Sequence, residues 1–328
     1  MRRREFVRLF GSATVAFRAV AAQGAEQPKR VGLLTNLAED DPETRSRLDA
    51  FLAALRQLGW RDGNNLNIDY RWGVGDSDNH RKNAAELVAL RPDVIVAHGS
   101  TIMGPLQRAT KTIPIVFVSV SDPVAGGFAS SLGRPGGNST GFTTFEYGQS
   151  AKWLEVLKEI VPDLKWVAVI RDPEQVSGGG QLGALQAAAS FLKVELNPIG
   201  TRDMSEIDRS VAGFAERPKG GLIVTTAAWA QIHRDELVGL AARHRLPAMY
   251  PYRIFVRAGG LSCYTPEIID QYRRAATYVD RILKGENPGE MAIQAPTKFE
   301  LVLNLKTAKA LGIAVPPSVL SRADEVVE

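Results

Sequence analysis

A chain of 328 residues is too long for one typical hydrophobic core and long enough for two. Its 45% hydrophobic and 23% charged residues are the balance of a folded globular protein, and no run of about 18 apolar residues offers a membrane-spanning helix. The formal charge of +4 resides in residues 1–21, where Arg2, Arg3, Arg4, Arg8 and Arg18 stand against Glu5; the remainder is neutral, which argues against nucleic acid as a partner.

The chain opens with a basic start (Arg2–Arg4), a weakly apolar stretch from Phe6 to Val20 and small residues at Ala19-Val20-Ala21. This pattern predicts a cleaved export signal over 1–21 and a periplasmic destination. The Arg-Arg pair before Glu5 resembles a twin-arginine signal. A disordered or amphipathic N-terminal segment is the competing reading. Cys263 is the only cysteine, so no internal disulfide or multi-cysteine metal site can form. With no cysteine near the signal, a lipoprotein is not expected. Cys263 itself reads as a small buried apolar residue.

From residue 30 onward short apolar runs alternate with helical patterns. Val31–Thr35 reads as a buried strand. Leu48, Phe51, Leu52, Leu55 and Leu58 then recur at three- and four-residue spacing, one face of a helix that Gly59 stops. Strands follow at 67–72, 93–97 and 114–119, with helices over 79–90 and from the turn at 98–101 to Thr110. Apolar runs such as VIVA and IVFV suit strands of a parallel sheet covered on both faces. Residues 121–150 break this rhythm with Gly126-Gly127, Gly133 and Pro135-Gly136-Gly137, which predicts a passage between domains.

A second alternation begins with a helix over 150–161. Strands are predicted at 166–170, 194–199, 221–225 and 247–250, and helices near 181–192, at 205–216 and at 233–244. A strand over 260–264 leads to a long helix with Tyr272, Ala275, Ala276, Val279, Ile282 and Leu283 on its apolar face. Phe299–Leu305 alternates again, and Pro316-Pro317 opens a short tail. The predicted fold class is α/β: two doubly wound parallel-sheet lobes joined by a multi-strand hinge. The first lobe takes 30–120 plus about 265–290, the second 145–260 plus about 299–320. The hinge falls near 121–145, 260–265 and 291–299. Parallel connectors of this kind permit closure around a ligand.

Several blocks carry a family resemblance. They are LGWRDGNNL at 58–66 (pattern L-G-[YW]-x-x-G-x-N), IDYRW at 68–72, ATKTIPIVF at 109–117, SVSDPV at 119–124 and RPGGNSTG at 134–141. GGLSCY at 259–264, KFELVLNLKTAKALG at 298–312 and RADEV at 322–326 complete the set. Together they resemble the ABC-transporter substrate-binding protein family typified by the tryptophan/tyrosine-binding lipoproteins, over nearly the whole chain after the signal. The resemblance implies a type I periplasmic-binding-protein fold, a ligand between two lobes, and delivery to a membrane permease with its ATPase. It leaves the ligand open, since such scaffolds vary their pockets. The missing lipid-anchor cysteine is a departure from the lipoprotein members.

In open parallel sheets ligands bind beyond the carboxyl ends of the strands, where helix N-termini offer unpaired N–H groups. Thr35-Asn36, Ser100-Thr101 and Ser121-Asp122 stand at such ends in the first lobe. Ser100 and Thr101 fit a carboxylate site and fit an N-cap equally. Asp122 is placed to receive an ammonium or hydroxyl, although Asp-Pro is also a common turn starter. His98 ends its strand within reach of the cleft, or is hydrogen-bonded beside its turn. In the second lobe Asp172, Thr226, Trp229 and Tyr252 follow strands, and the two aromatics suit stacking on a planar ligand.

Gly178–Gly183 satisfies G-x-G-x-x-G, but Arg171–Ser177 intervene after the strand and no acid ends the next one. A flexible loop at the cleft rim is expected there instead of a dinucleotide site. Walker, nucleophile-elbow and zincin motifs are absent, and the four histidines lack metal-ligand spacing. The expectation is a monomeric solute receptor with no catalytic residue, cofactor or metal, favouring an amino acid or aromatic carboxylate. The rivals are a two-lobed hydrolase or transferase using Asp122 or Asp172, and the sensor lobe of a regulator.

Overall fold

The computed structural model describes residues 27–74, 77–144, 147–173 and 175–328. The export signal expected over 1–21 lies outside the described residues.

The first run of alternating elements comprises β1 (Lys29–Thr35), α1 (Pro42–Gln57), β2 (Leu66–Trp72), α2 (Ser77–Ala89), β3 (Val94–His98), α3 (Ser100–Ala109), β4 (Ile115–Val120) and β5 (Ser139–Thr143). Its five strands lie parallel in the order β2-β1-β3-β4-β5. Strands β3 and β4 are buried along their whole length, as their unbroken apolar runs require. Asp41 caps α1 by accepting from the Glu43 amide at 2.9 Å.

Residues 121–145, expected as hinge, contribute β5 to this sheet. Gly141 permits the pairing: a Cβ there would lie 2.0 Å from the Phe117 carbonyl oxygen. The strand is polar (STGFT) and sits among turn residues, so its composition conceals it.

The second run comprises α4 (Gln149–Ile160), β6 (Trp166–Arg171), α5 (Val176–Leu192), β7 (Glu195–Gly200), α6 (Met204–Ala215), β8 (Gly220–Val224), α7 (Ala228–Ile232), α8 (Arg234–Arg243), β9 (Ala248–Tyr250), α9 (Arg253–Arg257) and β10 (Ser262–Pro266). After it come α10 (Ile268–Leu283), β11 (Phe299–Asn304), α11 (Leu305–Leu311), α12 (Pro317–Leu320) and β12 (Glu325–Val327). The second sheet runs β12-β11-β10-β9-β8-β6-β7, with β11 antiparallel to β10. Both sheets therefore wind their first five strands in the same 2-1-3-4-5 sense. The short tail expected after Pro316 adds α12 and β12 to this lobe. Cys263 is fully buried on β10, and burial pushes its thiol pKa up.

Helix α10 recrosses to the first lobe. Tyr272, Ala275, Ala276, Val279, Ile282 and Leu283 of α10 are all buried against α1 and the first sheet. Burial of each larger side chain contributes roughly 1.5–3 kcal/mol, which fixes the helix there. The connectors are shorter than expected. Met291 and Gln294 stay with β5, through Thr140 Oγ1 donating to the Met291 carbonyl at 2.6 Å and the Gln294 amide donating to the Gly141 carbonyl at 2.9 Å. Strand β10 belongs to the second sheet. Passage between lobes thus occurs after β5, between β10 and α10, and between Gln294 and β11. Tyr264 stacks on Phe299 (5.5 Å between centroids) beside two of these crossings.

The glycine-rich run at 178–183 lies within α5, not in a loop. A Cβ on Gly178 would approach the Asp172 carbonyl to 2.8 Å, and one on Gly180 would meet the Tyr147 ring at 2.5 Å. Close approach of this helix to its neighbours explains those two glycines.

Candidate ligand-binding site

The strand order reverses between β1 and β3 in the first sheet and between β6 and β8 in the second. Loops leaving such switch points diverge and open a crevice. Here the two crevices face each other. One cavity is lined by Asn36, His98, Gly99, Ser100, Thr101, Ser119 and Ser121 from the first lobe and by Gln175, Thr226, Ala227, Ala228, Gln231 and Tyr252 from the second. It has about 20 Å³ of room for solvent, little more than one water.

His98 ends β3 and is almost fully buried. Its Nε2 lies 3.2 Å from Arg47 Nη1 of α1. A guanidinium can only donate, so Nε2 accepts and Nδ1 carries the hydrogen. Burial, followed by the neighbouring Arg47 charge, holds the imidazole pKa well below its ordinary value. The ring is therefore neutral near pH 7, and its Nδ1–H has no partner among the described residues. Asn36 Oδ1 and Thr101 Oγ1 are likewise buried without a partner. Buried polar atoms left unmatched cost free energy unless a guest supplies the bond.

Helix α3 opens at Gly99, and no side chain caps it. Its first-turn N–H groups face the same region and favour an anion. Ser100 Oγ accepts from the Ser121 amide at 2.9 Å, which ties the β4 loop to the helix start. Ser100 thus does not cap its own helix, and its hydroxyl hydrogen remains a donor. At the end of β4 the register shifts, and Ser119 and Asp122 take positive φ values of 59° and 39°. Such backbone strain collects at binding loops.

The second lobe supplies a wall. The Thr226 amide and hydroxyl both donate to Gln181 Oε1 at 3.0 Å, holding the β8 loop in place. The Tyr252 side chain is hydrogen-bonded to that of Ser119 across the interface, and burial raises its pKa to about 12.

Six of the ten residues expected at the site line the cavity: Asn36, Ser100, Thr101, Ser121, Thr226 and Tyr252. Four do not. Thr35 Oγ1 accepts from the Leu37 amide at 3.3 Å. Asp122 accepts from the Ala125 amide at 2.9 Å, the turn-starter role. Asp172 is bound in a fork by Arg202 Nε at 2.9 Å and Nη2 at 2.6 Å. Trp229 belongs to α7 and lies against His233, 5.1 Å between centroids. His98, Ser119, Gln175 and Gln231 join the lining. His98 was legible as a strand end, whereas Gln175 and Gln231 carry no sequence signal.

Two ion pairs also join the lobes. Arg257 of α9 donates to Glu43 of α1, and Arg234 Nη1 of α8 lies 3.3 Å from Asp41.

A family model described as "ABC transporter substrate binding protein" matches residues 38–327. A tyrosine-binding protein of Clostridioides difficile (strain R20291) is 26% identical over 293 residues, which cover 88% of this chain and 82% of that one. Among solved structures, a domain in complex with L-Trp from Streptococcus pneumonia matches with a TM-score of 0.84 at 21% identity, covering 92% of this chain and 100% of that chain. The ligand-free, open structure of a substrate-binding protein with adhesive properties from Clostridium difficile matches with 0.70 at 24% identity, covering 91% and 99%.

Proposed function

Because the chain belongs to the family of ABC transporter substrate-binding proteins, we propose that it captures an amino acid or an aromatic carboxylate between its lobes and hands it to an importer. The carrying observation is one set of unmatched polar groups in the interlobe cavity. The neutral His98 Nδ1–H, Thr101 Oγ1 and the uncapped start of α3 suit a carboxylate. Asn36 Oδ1 is an acceptor suited to an ammonium. The names of the tyrosine-binding relative and of the L-Trp complex support the same class.

A cavity with room for little more than a water admits such a solute only when the lobes part. Closure is then the ligand-stabilised state, which the permease and its ATPase recognise. In support, the fold matches the L-Trp complex (0.84) better than the ligand-free open structure (0.70), at similar identity. The reading includes export by the signal at 1–21 and a monomeric periplasmic receptor.

The candidate acids of the hydrolase reading are engaged elsewhere, Asp172 by Arg202 and Asp122 by its own turn. The test is calorimetric titration with amino acids and aromatic acids. One-to-one binding without turnover is expected, weakened about tenfold by Thr101→Ala and by His98→Ala through lost buried hydrogen bonds. Product formation, or affinity indifferent to both substitutions, defeats the proposal.

A further inference from the structure

A second cavity of about 530 Å³ lies wholly in the second lobe, between α8, the end of α9 and α11. It shares no lining residue with the interlobe cavity. Its volume falls in the range of small-molecule sites. The wall is mainly aliphatic, including Ala241 and Leu246 from one side and Leu261 and Leu311 from the other. Tyr250 also lines it. This side chain is fully buried, stacks on Phe255 at 5.0 Å, and leaves its hydroxyl without a partner among the described residues. A buried phenol O–H usually finds a partner.

Arg245, Arg257 and Lys306 line this cavity together with Glu328. Arg257 is held by Glu43. Arg245 and Lys306 have no ion pair among the described residues, and both are exposed at the rim. An apolar chamber with two uncommitted cations at its rim fits an amphipathic anion.

We propose that this chamber is a second binding site, for an aliphatic carboxylate whose tail fills the apolar wall and whose head meets Arg245 and Lys306.

Octanoate is the probe, with 1-octanol as the chargeless control, titrated calorimetrically into the whole chain. Octanoate is expected to bind one site at least tenfold tighter than octanol. The double variant Arg245→Ala/Lys306→Ala changes only exposed side chains, and it should weaken octanoate tenfold or more while leaving octanol unchanged. Ala242→Trp, on an exposed position of the lining, should block the mouth. His98→Ala in the interlobe cavity should leave octanoate affinity untouched, which separates this site from the first. Absence of saturable octanoate binding, equal affinity for octanol, or loss in His98→Ala instead of in the Arg245/Lys306 variant overturns the proposal.

Discussion

Glu43, in the first turn of α1, and Arg257, in the last turn of α9, are 214 positions apart and form an ion pair that joins the two lobes. The Glu43 side chain is largely buried and also lies 3.6 Å from Arg47, whereas Arg257 is half exposed. Solvent screening on the Arg257 side keeps the pair's worth near 0.5–1 kcal/mol. That energy exists only while the lobes meet, so it adds directly to the affinity of any ligand that requires closure.

Arg257→Ala should therefore weaken cleft ligands about threefold to fivefold. The free protein should sample wider conformations, seen as a larger radius of gyration in solution scattering. Combining it with Arg234→Ala, which removes the Asp41 pair, should roughly multiply the losses. Unchanged affinity in the double variant rules out a latch.

Two glycines predict opposite stability effects. At Gly141 a Cβ would collide with the Phe117 backbone at 2.0 Å, and φ is +148°. Gly141→Ala should cost at least about 3 kcal/mol by forcing β4 and β5 apart. Gly183 lies within α5 with nothing within 4 Å of its virtual Cβ. Gly183→Ala should stabilise by about 0.5–1 kcal/mol. Urea unfolding midpoints measure both.

These contrasts mark what the sequence made legible. Buried strands announce themselves by apolar runs, so the loop ends Asn36, Ser100, Thr101 and Ser121 could be placed before any coordinates. The same run logic misses β5, whose residues are polar and whose pairing depends on a glycine contact with another strand. Helices α7 and α9 have five residues each, too few for a 3.6-residue period to show. Trp229, expected beyond a strand end as a stacking aromatic, lies within the first of them. The state of His98 depends on Arg47, and the fate of Asp172 on Arg202, and neither partner is a sequence neighbour.

The Asp172–Arg202 fork can be separated from ligand binding. Removing the guanidinium in Arg202→Ala takes two charge-assisted hydrogen bonds from a fully buried carboxylate, a loss of about 3 kcal/mol. Asp172→Asn combined with Arg202→Ala should recover a large part of it, because no charge then remains inside. Both proteins, where folded, should bind cleft ligands as the parent does. A double variant less stable than the single one contradicts this assignment.

The pH response of folding tests the state assigned to His98. Its folded pKa is depressed by burial and then by Arg47, so the unfolded chain takes up the proton first as pH falls. Stability should be level above about pH 7 and decline below about pH 6.5, the ordinary imidazole value, with this histidine contributing up to about 1.4 kcal/mol per pH unit. The decline continues until the lower folded pKa is reached. His98→Asn keeps an acceptor for Arg47 and cannot titrate. Urea unfolding at about pH 7.5, 6.5 and 5.5 should give a shallower loss for this variant than for the parent. Ligand affinity should stay level over the same interval, because the folded ring, which accepts from Arg47 and offers Nδ1–H inward, remains neutral until its depressed pKa is reached. Parallel stability curves for parent and variant would mean that His98 takes up its proton as readily in the folded protein as in the unfolded chain, and the depressed pKa assigned to it would be wrong.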